Sequence, residues 1–481
     1  MRRNGFLLGA RRLARRSSKG SGASRLPPAV SRIVLAICAR ALLVLATLFV
    51  TLGSEPALAA RTRCGSSADI AIGNAAADRL HAALGLHFPA SPDAAPEGYQ
   101  TIRPTGGDDS EALQAALDRH GRVWLVPGAV YQLHRRLVLS DEMALVGGGA
   151  GATLFLRLPD SGDPLPTGAV ATHAPSRAAI FGGGAEGLRL TGSNIKLDNL
   201  FVVREWREDT YGVAITVHQA RNVLLDRLRI RGLALAPGII SLQSVHDATI
   251  RRTLIHASCS ASMRVPEPAS GGDLNAFQIT GITVDDIRPQ GSSSGVLIED
   301  NVITGLGIDP SSSYRGDQSD GINIHASDFG EHPAVLRNNH ISDVAEGIDL
   351  FGSGILVTDN VIRASGLGIK LIHGARRITV RGNRIDGEPR LGGIAAYSVR
   401  GRYGPERRVG DIRIIDNVFD LGSRAGPAIR IDDRPRFPPL NVTLRDNSIR
   451  LPDCNRTAIA CATGQCVEAG NSKRGPDGAD C

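Results

Sequence analysis

Asp359-Asn360-Val361-Ile362 is followed 23 residues later by Gly382-Asn383-Arg384-Ile385, and the phrase keeps returning. It stands also at Asp300-Asn301-Val302-Ile303, Asn338-Asn339-His340-Ile341, Asp416-Asn417-Val418-Phe419 and Asp446-Asn447-Ser448-Ile449. Successive asparagines lie 38, 21, 23, 34 and 30 residues apart. A period of 21 to 23, stretched where loops are inserted, is the mark of a solenoid.

A second phrase, Gly-Ile-x-Ile, alternates with the first. It reads Gly212-Val213-Ala214-Ile215, Gly321-Ile322-Asn323-Ile324, Gly347-Ile348-Asp349-Leu350 and Gly368-Ile369-Lys370-Leu371. Strand alternation turns the aliphatic residues inward and the polar one outward. One such coil cannot bury its apolar face alone, so coils stack at about 4.8 Å per rung. The repeated asparagine then belongs inside a turn, bonded to backbone of the next coil.

Upstream, Gly107-Asp108-Asp109-Ser110 leads into Leu113-Gln114-Ala115-Ala116-Leu117, a helix with Asp109 or Ser110 as its N-cap and an apolar face on Leu113, Ala116 and Leu117. Val123-Trp124-Leu125-Val126-Pro127-Gly128 and Tyr131 follow as short strands and turns. This opening, with the coils after it, resembles the pectate-lyase superfamily of right-handed parallel β-helices over roughly residues 100–450. The resemblance implies an all-β, single-stranded right-handed β-helix with an N-terminal capping helix and a carbohydrate-facing groove. It does not choose among lyases, hydrolases, epimerases and catalytically silent members.

The formal net charge of +7 is local. Residues 1–59 hold ten Lys+Arg and one acid, so the remainder carries 45 basic and 47 acidic residues. A body near neutrality gives no case for nucleic acid. The basic leader, the apolar run Ala41–Leu52 and Ala57-Leu58-Ala59 read as a signal peptide or N-terminal anchor and predict a secreted, periplasmic or envelope protein. Membrane contact is expected only if that segment stays uncleaved. Six cysteines follow the leader, four of them in the last 28 residues. An even number in an exported chain predicts disulfides, with the last four pairing among themselves and Cys64 with Cys259 by elimination. The organisation expected is a leader at 1–59, a helical and linker segment at 60–100, the β-helix at 101–451 and a Cys-rich tail at 452–481.

Three consecutive coils carry unusual outward residues. Asn323, Asp349 and Lys370 fall in one column, and Asp320 and Glu346 in a second. His325 and His373 follow two of these strands. Lys370 is one of only four lysines in the chain, so its place in a coil wall is not casual. Asp320, Glu346, Asp349, Lys370 and His325 are therefore the candidate catalytic residues. Asn323, His373, Arg390, Tyr397, Arg400 and Arg402 are the candidate substrate-binding residues, because arginine forks and aromatic faces suit an anionic sugar chain.

Two chemistries fit this set. A lyase on a uronate polymer needs the carboxylate neutralised and a base, which Ca²⁺ on Asp320, Glu346 and Asp349, with Lys370 as base, would supply. A bare Asp349 beside Lys370 would instead hold the lysine protonated. A hydrolase needs one protonated and one ionised carboxyl. Ser319-Asp320-Gly321-Ile322 and Gly368-Ile369-Lys370 resemble the Asn-Thr-Asp and Arg-Ile-Lys motifs of polygalacturonase-type hydrolases. Here Glu346-Gly347-Ile348-Asp349 stands in place of their Asp-Asp pair, and their Gly-His-Gly and the Asp-Pro-His of alginate-type epimerases are missing. The expected partner is a polysaccharide, anionic in character. A non-catalytic envelope protein that binds glycan is the alternative, and an aromatic content of 4% favours it slightly.

Overall fold

The computed structural model describes residues 75–76, 79–80, 82–84, 94–135, 137–147, 152–156, 178–183, 189–191, 193–197, 213–231, 238–256, 280–286, 292–306, 319–325, 328–397, 408–432, 439–461 and 466–481. The leader, Cys64 and Cys259 lie outside this set. Among the described residues no helix is long and apolar enough to cross a membrane.

Every named strand pair is parallel, and each strand bonds to the equivalent strand of the next coil. Among the described residues, thirteen strands, from Gln100–Ile102 to Cys466–Ala469, stack into one wall. Twenty-one others make two further walls. Those two merge where one strand turns the corner without a break, as His340–Leu350 and Val361–Leu371 do. This is the parallel β-helix that the repeat predicts.

The core is a set of aliphatic columns. Ile303, Ile341, Ile362, Ile385, Phe419 and Ile449 follow one another through the stack at 0% exposure. Each such side chain contributes about 1.5–3 kcal/mol of burial that one coil could not obtain alone.

The recurring asparagines sit where the first wall turns into the second. Asn339 Nδ2 donates to the Ile298 carbonyl at 2.9 Å and to Asn360 Oδ1 at 2.9 Å. Asn360 repeats this toward Asn383, Asn383 toward Asn417, Asn417 toward Asn447, and Asn447 toward Asn471. Each amide oxygen also accepts the backbone N–H of the preceding asparagine in the column. The residue before each is left-handed: Asp300, Asn338, Asp359, Asp416 and Asp446 have φ of 53–57°, and Gly382 and Gly470 have 66°. Asp, Asn and Gly are the residues that tolerate this conformation, which accounts for the first letter of the phrase.

Glycine in Gly-Ile-x-Ile has a different cause. A Cβ on Gly321 would lie 2.6 Å from the Gly347 carbonyl oxygen, and one on Gly347 would collide with the Gly368 carbonyl and Ile362. The backbones meet at this corner too closely for any side chain.

Three expectations need correction. The phrase that ends at Ile215 is out of register with the later coils. Ile215 pairs with Ile240, which leads through Ile282 to Ile322, so Thr216 is the residue in the outward column. The helix Ser110–His120 forms, with Leu113, Ala116 and Leu117 buried, but Asp109 at its N-cap position makes no side-chain cap bond. Asp109 instead accepts from Thr105 N and Oγ1 and from Gln132 N, and Ser110 Oγ accepts from His134 and Arg135 N. Those side chains tie the helix to the strand Val130–Leu133. Before residue 100, Leu80 packs on Leu254 and Val302. Finally, the coils do not stop at residue 451. Cys466–Ala469 pairs with the strand Leu440–Arg445, and Ser472–Arg474 with Ser448–Arg450. Cys454 bonds to Cys481 and Cys461 to Cys466, so the last four cysteines pair among themselves, within the final coil.

Candidate functional site

The corner glycine decides where polar residues can emerge. The missing Cβ of Gly321 and of Gly347 would point at core isoleucines, Ile341 and Ile362, and the isoleucine after each glycine is buried as well. Two successive inward residues break the alternation. The residue before the glycine and the one two after it therefore share a side of the wall. Asp320 lies opposite Glu346, and Asn323 opposite Asp349, which is opposite Lys370.

These five side chains converge. Lys370 Nζ contacts Glu346 Oε2 and lies 2.6 Å from Asp349 Oδ2. Asn323 Nδ2 donates to Asp320 Oδ2 at 3.1 Å. The three carboxylates bring oxygens within 4.8 Å of one another. Exposure is 0% at Asp320, 1% at Asp349, 5% at Asn323 and 8% at Glu346 and Lys370.

Burial and charge set the protonation. Burial, then the Glu346 and Asp349 carboxylates, hold the Asp320 carboxyl well above the usual carboxylate range. Burial likewise pushes Asp349 up to about 7, against the opposing pull of Lys370. Lys370 stays well above its ordinary value, since the attraction of Asp349 and Glu346 overcomes the cost of burial. The lysine is an ammonium here and has no lone pair to act as a base.

Calcium prefers six to eight oxygen ligands, some of them waters. In this cluster the Lys370 ammonium already lies between Glu346 and Asp349 and takes the place a cation would occupy. The residues as arranged do not fit the ion.

A second column runs beside the charged one. His325 meets Phe351 edge-on at 4.2 Å between ring centroids, and Phe351 stacks on His373 at 4.9 Å. Lys370 Nζ is 5.9 Å from the Phe351 centroid. Tyr397 ends the strand Gly392–Ala396 and shares the field of Lys370, Glu346 and Asp349; burial pushes its hydroxyl up to about 12. Arg390 is exposed, with its backbone N–H on the Ser365 carbonyl. Arg400 and Arg402 lie outside the described residues. Sequence reasoning missed Phe351 and Arg430. Extending the Gly-Ile-x-Ile register one residue past the strand finds Phe351, and extending it two coils finds Arg430, which follows Lys370 and Ala395 in the same column.

Residues 240–472 match the family described as right handed beta helix region. No curated protein matches the chain by sequence. Among solved structures, the surface adhesin PfbA of Streptococcus pneumoniae is 13% identical, with 78% of this chain and 91% of that one covered at a TM-score of 0.53. The Family 28 exopolygalacturonase of Yersinia enterocolitica is 15% identical over 79% of this chain and 78% of its own, at 0.51. The catalytic domain of a GH87 alpha-1,3-glucanase, solved with nigerose, is 13% identical over 80% of this chain and 66% of that one, at 0.52. At such identities the likeness is one of fold, and with the three parallel walls and the continuous asparagine column it agrees with a right-handed parallel β-helix.

Proposed function

We propose that this is an exported enzyme that hydrolyses glycosidic bonds in an acidic polysaccharide. The observation that carries the reading is the convergence of Asp320, Glu346 and Asp349 around Lys370, where burial and the neighbouring carboxylates raise Asp320 well above the usual carboxylate range. Oxygens within 4.8 Å suit the short carboxyl separation of a retaining pair, about 5–5.5 Å, better than the 6.5–9.5 Å or so of an inverting one. Asp320 would protonate the departing glycosidic oxygen. Glu346, the more exposed carboxylate, would bond to the anomeric carbon, and water would then release the sugar with the proton returning to Asp320. The lyase reading is the weaker one, because its base would be an ammonium. The Yersinia exopolygalacturonase and the glucanase show that this architecture can support glycoside hydrolysis.

The non-catalytic reading also has an observation in its favour. The cluster is almost wholly enclosed, as a structural ion pair would be, and one similar fold is an adhesin. One assay separates these readings. Purified protein is incubated with polygalacturonate, alginate and a neutral glucan, with and without chelator. New reducing ends without an ultraviolet-absorbing unsaturated product, chelator-insensitive and lost in Asp320→Asn and Glu346→Gln, are expected. An unsaturated product would replace hydrolysis by elimination. No cleavage of any glycan would leave the binding protein.

A further inference from the structure

The loops that follow the strands Val418–Leu421 and Ser448–Arg450 border a cleft of about 240 Å³. Leu421, Pro427, Leu451 and Pro452 give it apolar walls, and Arg456 and Thr457 line its polar side. Continuing the strand register places Pro427 and Thr457 in the column that holds Asp320 and Glu346 and runs on through Leu367 and Gly392. Pro427 is three rungs, about 14 Å, from Glu346. Leu367 and Gly392 between them are buried, so the cleft is a site of its own on the same corner of the stack.

The Arg456 guanidinium is held by main chain alone. Nη1 donates to the Gly422 carbonyl at 3.3 Å and to the Ser423 carbonyl at 2.6 Å, and Nη2 donates to the Ala425 carbonyl. A guanidinium has five N–H donors, so these three bonds leave others, Nε–H among them. No carboxylate pairs with Arg456 among the described residues. Two acids of these loops are turned to other donors: Glu388 accepts from Ser423 Oγ at 3.5 Å, and Asp453 from the Asn455 N–H at 2.9 Å. A fixed cation bonded only to neutral carbonyls, beside apolar walls that lower the local dielectric, attracts an anion.

We propose that this cleft binds one uronate unit of an acidic glycan, its carboxylate on the remaining donors of Arg456 and its ring against the prolines and leucines. Pockets for drug-sized ligands run to about 300–1,000 Å³, so a cleft below that range takes a single sugar, not a chain. The guanidinium selects the acid, because a carboxylate makes charge-assisted bonds to it and an ester or alcohol does not. The inference rests on the acidic-glycan reading above but not on hydrolysis, since a binding protein would use the same cleft.

The test is titration calorimetry of the Asp320→Asn protein with tri-galacturonate, and with its methyl ester as the uncharged control. Thr457 is exposed, so Thr457→Asp can supply Arg456 with an internal carboxylate while the three carbonyl bonds stay in place. It is expected to weaken a tri-galacturonate binding step about tenfold or more, the value of a charge-assisted contact, whereas Thr457→Asn stays within about twofold of the parent. Arg456→Gln should lose the same step. An unchanged thermal midpoint shows that a variant is folded, and if Arg456→Gln fails that check the Thr457 pair decides. Equal binding of acid and ester by the parent, no weakened step in Thr457→Asp, an equal loss in Thr457→Asn, or a parent that binds no uronate would each overturn the proposal. Cleavage assays on wild type keep the two readings apart. Cleavage of polygalacturonate with no step sensitive to Thr457→Asp sinks the cleft and leaves the hydrolase; a sensitive step without cleavage of any glycan does the reverse.

Discussion

Removing Lys370 leaves Glu346 and Asp349 buried with no counter-charge. Lys370→Met is therefore expected to destabilise the fold by about 3–5 kcal/mol, the cost of breaking a buried pair from one side. Urea denaturation measures it, and a loss below about 1 kcal/mol would mean the lysine is solvated instead. The raised carboxyls predict a pH slope. Asp320 and Asp349 bind protons more tightly folded than unfolded. Their contribution is fully present below the ordinary carboxylate value, near pH 4, and is lost as pH rises through the folded values, about 7 for Asp349. Lys370 works in another window, stabilising below its ordinary value near 10.4 and losing that effect above it. Urea midpoints from about pH 4 to pH 8 should fall, and Asp320→Asn should flatten the decline. The acids and the lysine were legible because their strands carry a complete Gly-Ile-x-Ile phrase. Arg430 was not, because its strand reads Ala428-Ile429-Arg430-Ile431, with alanine where the phrase has glycine. Phe351 lies one residue beyond the strand His340–Leu350 and outside the four-residue phrase, so reading the phrase alone passes over it.

A coil is held to its neighbour by one asparagine and one glycine more than by any single aliphatic contact. Asn360 makes four side-chain bonds, to Leu336 O, Asn383 Oδ1, Asn339 N and Asn339 Nδ2, all buried. Asn360→Ala orphans several of those groups and is expected to cost about 2–5 kcal/mol by urea denaturation. Gly347→Ala places a methyl against the Gly368 backbone and Ile362, and should cost at least as much. If it expresses with a wild-type midpoint, the corner is looser than described. The phrase announced this ladder but understated its length. Asn471 belongs to it, yet Gly470-Asn471-Ser472-Lys473 lacks the closing aliphatic residue. At the other end the Thr253 N–H donates to Asn301 Oδ1, so the column continues where the sequence shows no asparagine. The helix Ser110–His120 was legible from its apolar spacing. Its missing cap was not, since Asp109 and Ser110 are claimed by a strand more than twenty residues away.

Across the whole molecule, each coil touches only its neighbours, so stability is shared step by step and the ends are weakest. The Cys454–Cys481 bond spans 27 residues and fastens the last coil. Replacing both by serine is expected to cost about 3–4 kcal/mol in the coil it closes. Hydrogen exchange should show lost protection after residue 440 and unchanged protection around Lys370. Loss spread through all coils would mean that the stack unfolds as one unit. The tail looked separate in sequence because its strands are short and polar, such as Ser472–Arg474, and their partners lie a full turn back.

The asparagine column also constrains how such a chain can change size. Every Asn must meet another exactly one turn away, while the loops between may be of any length, as the steps of 21 and 38 residues show. Whole turns can be gained or lost with the ladder rejoined, whereas a fraction of a turn leaves an amide facing nothing. The molecule's length is in that sense quantised, and its ancestry is to be counted in turns instead of residues.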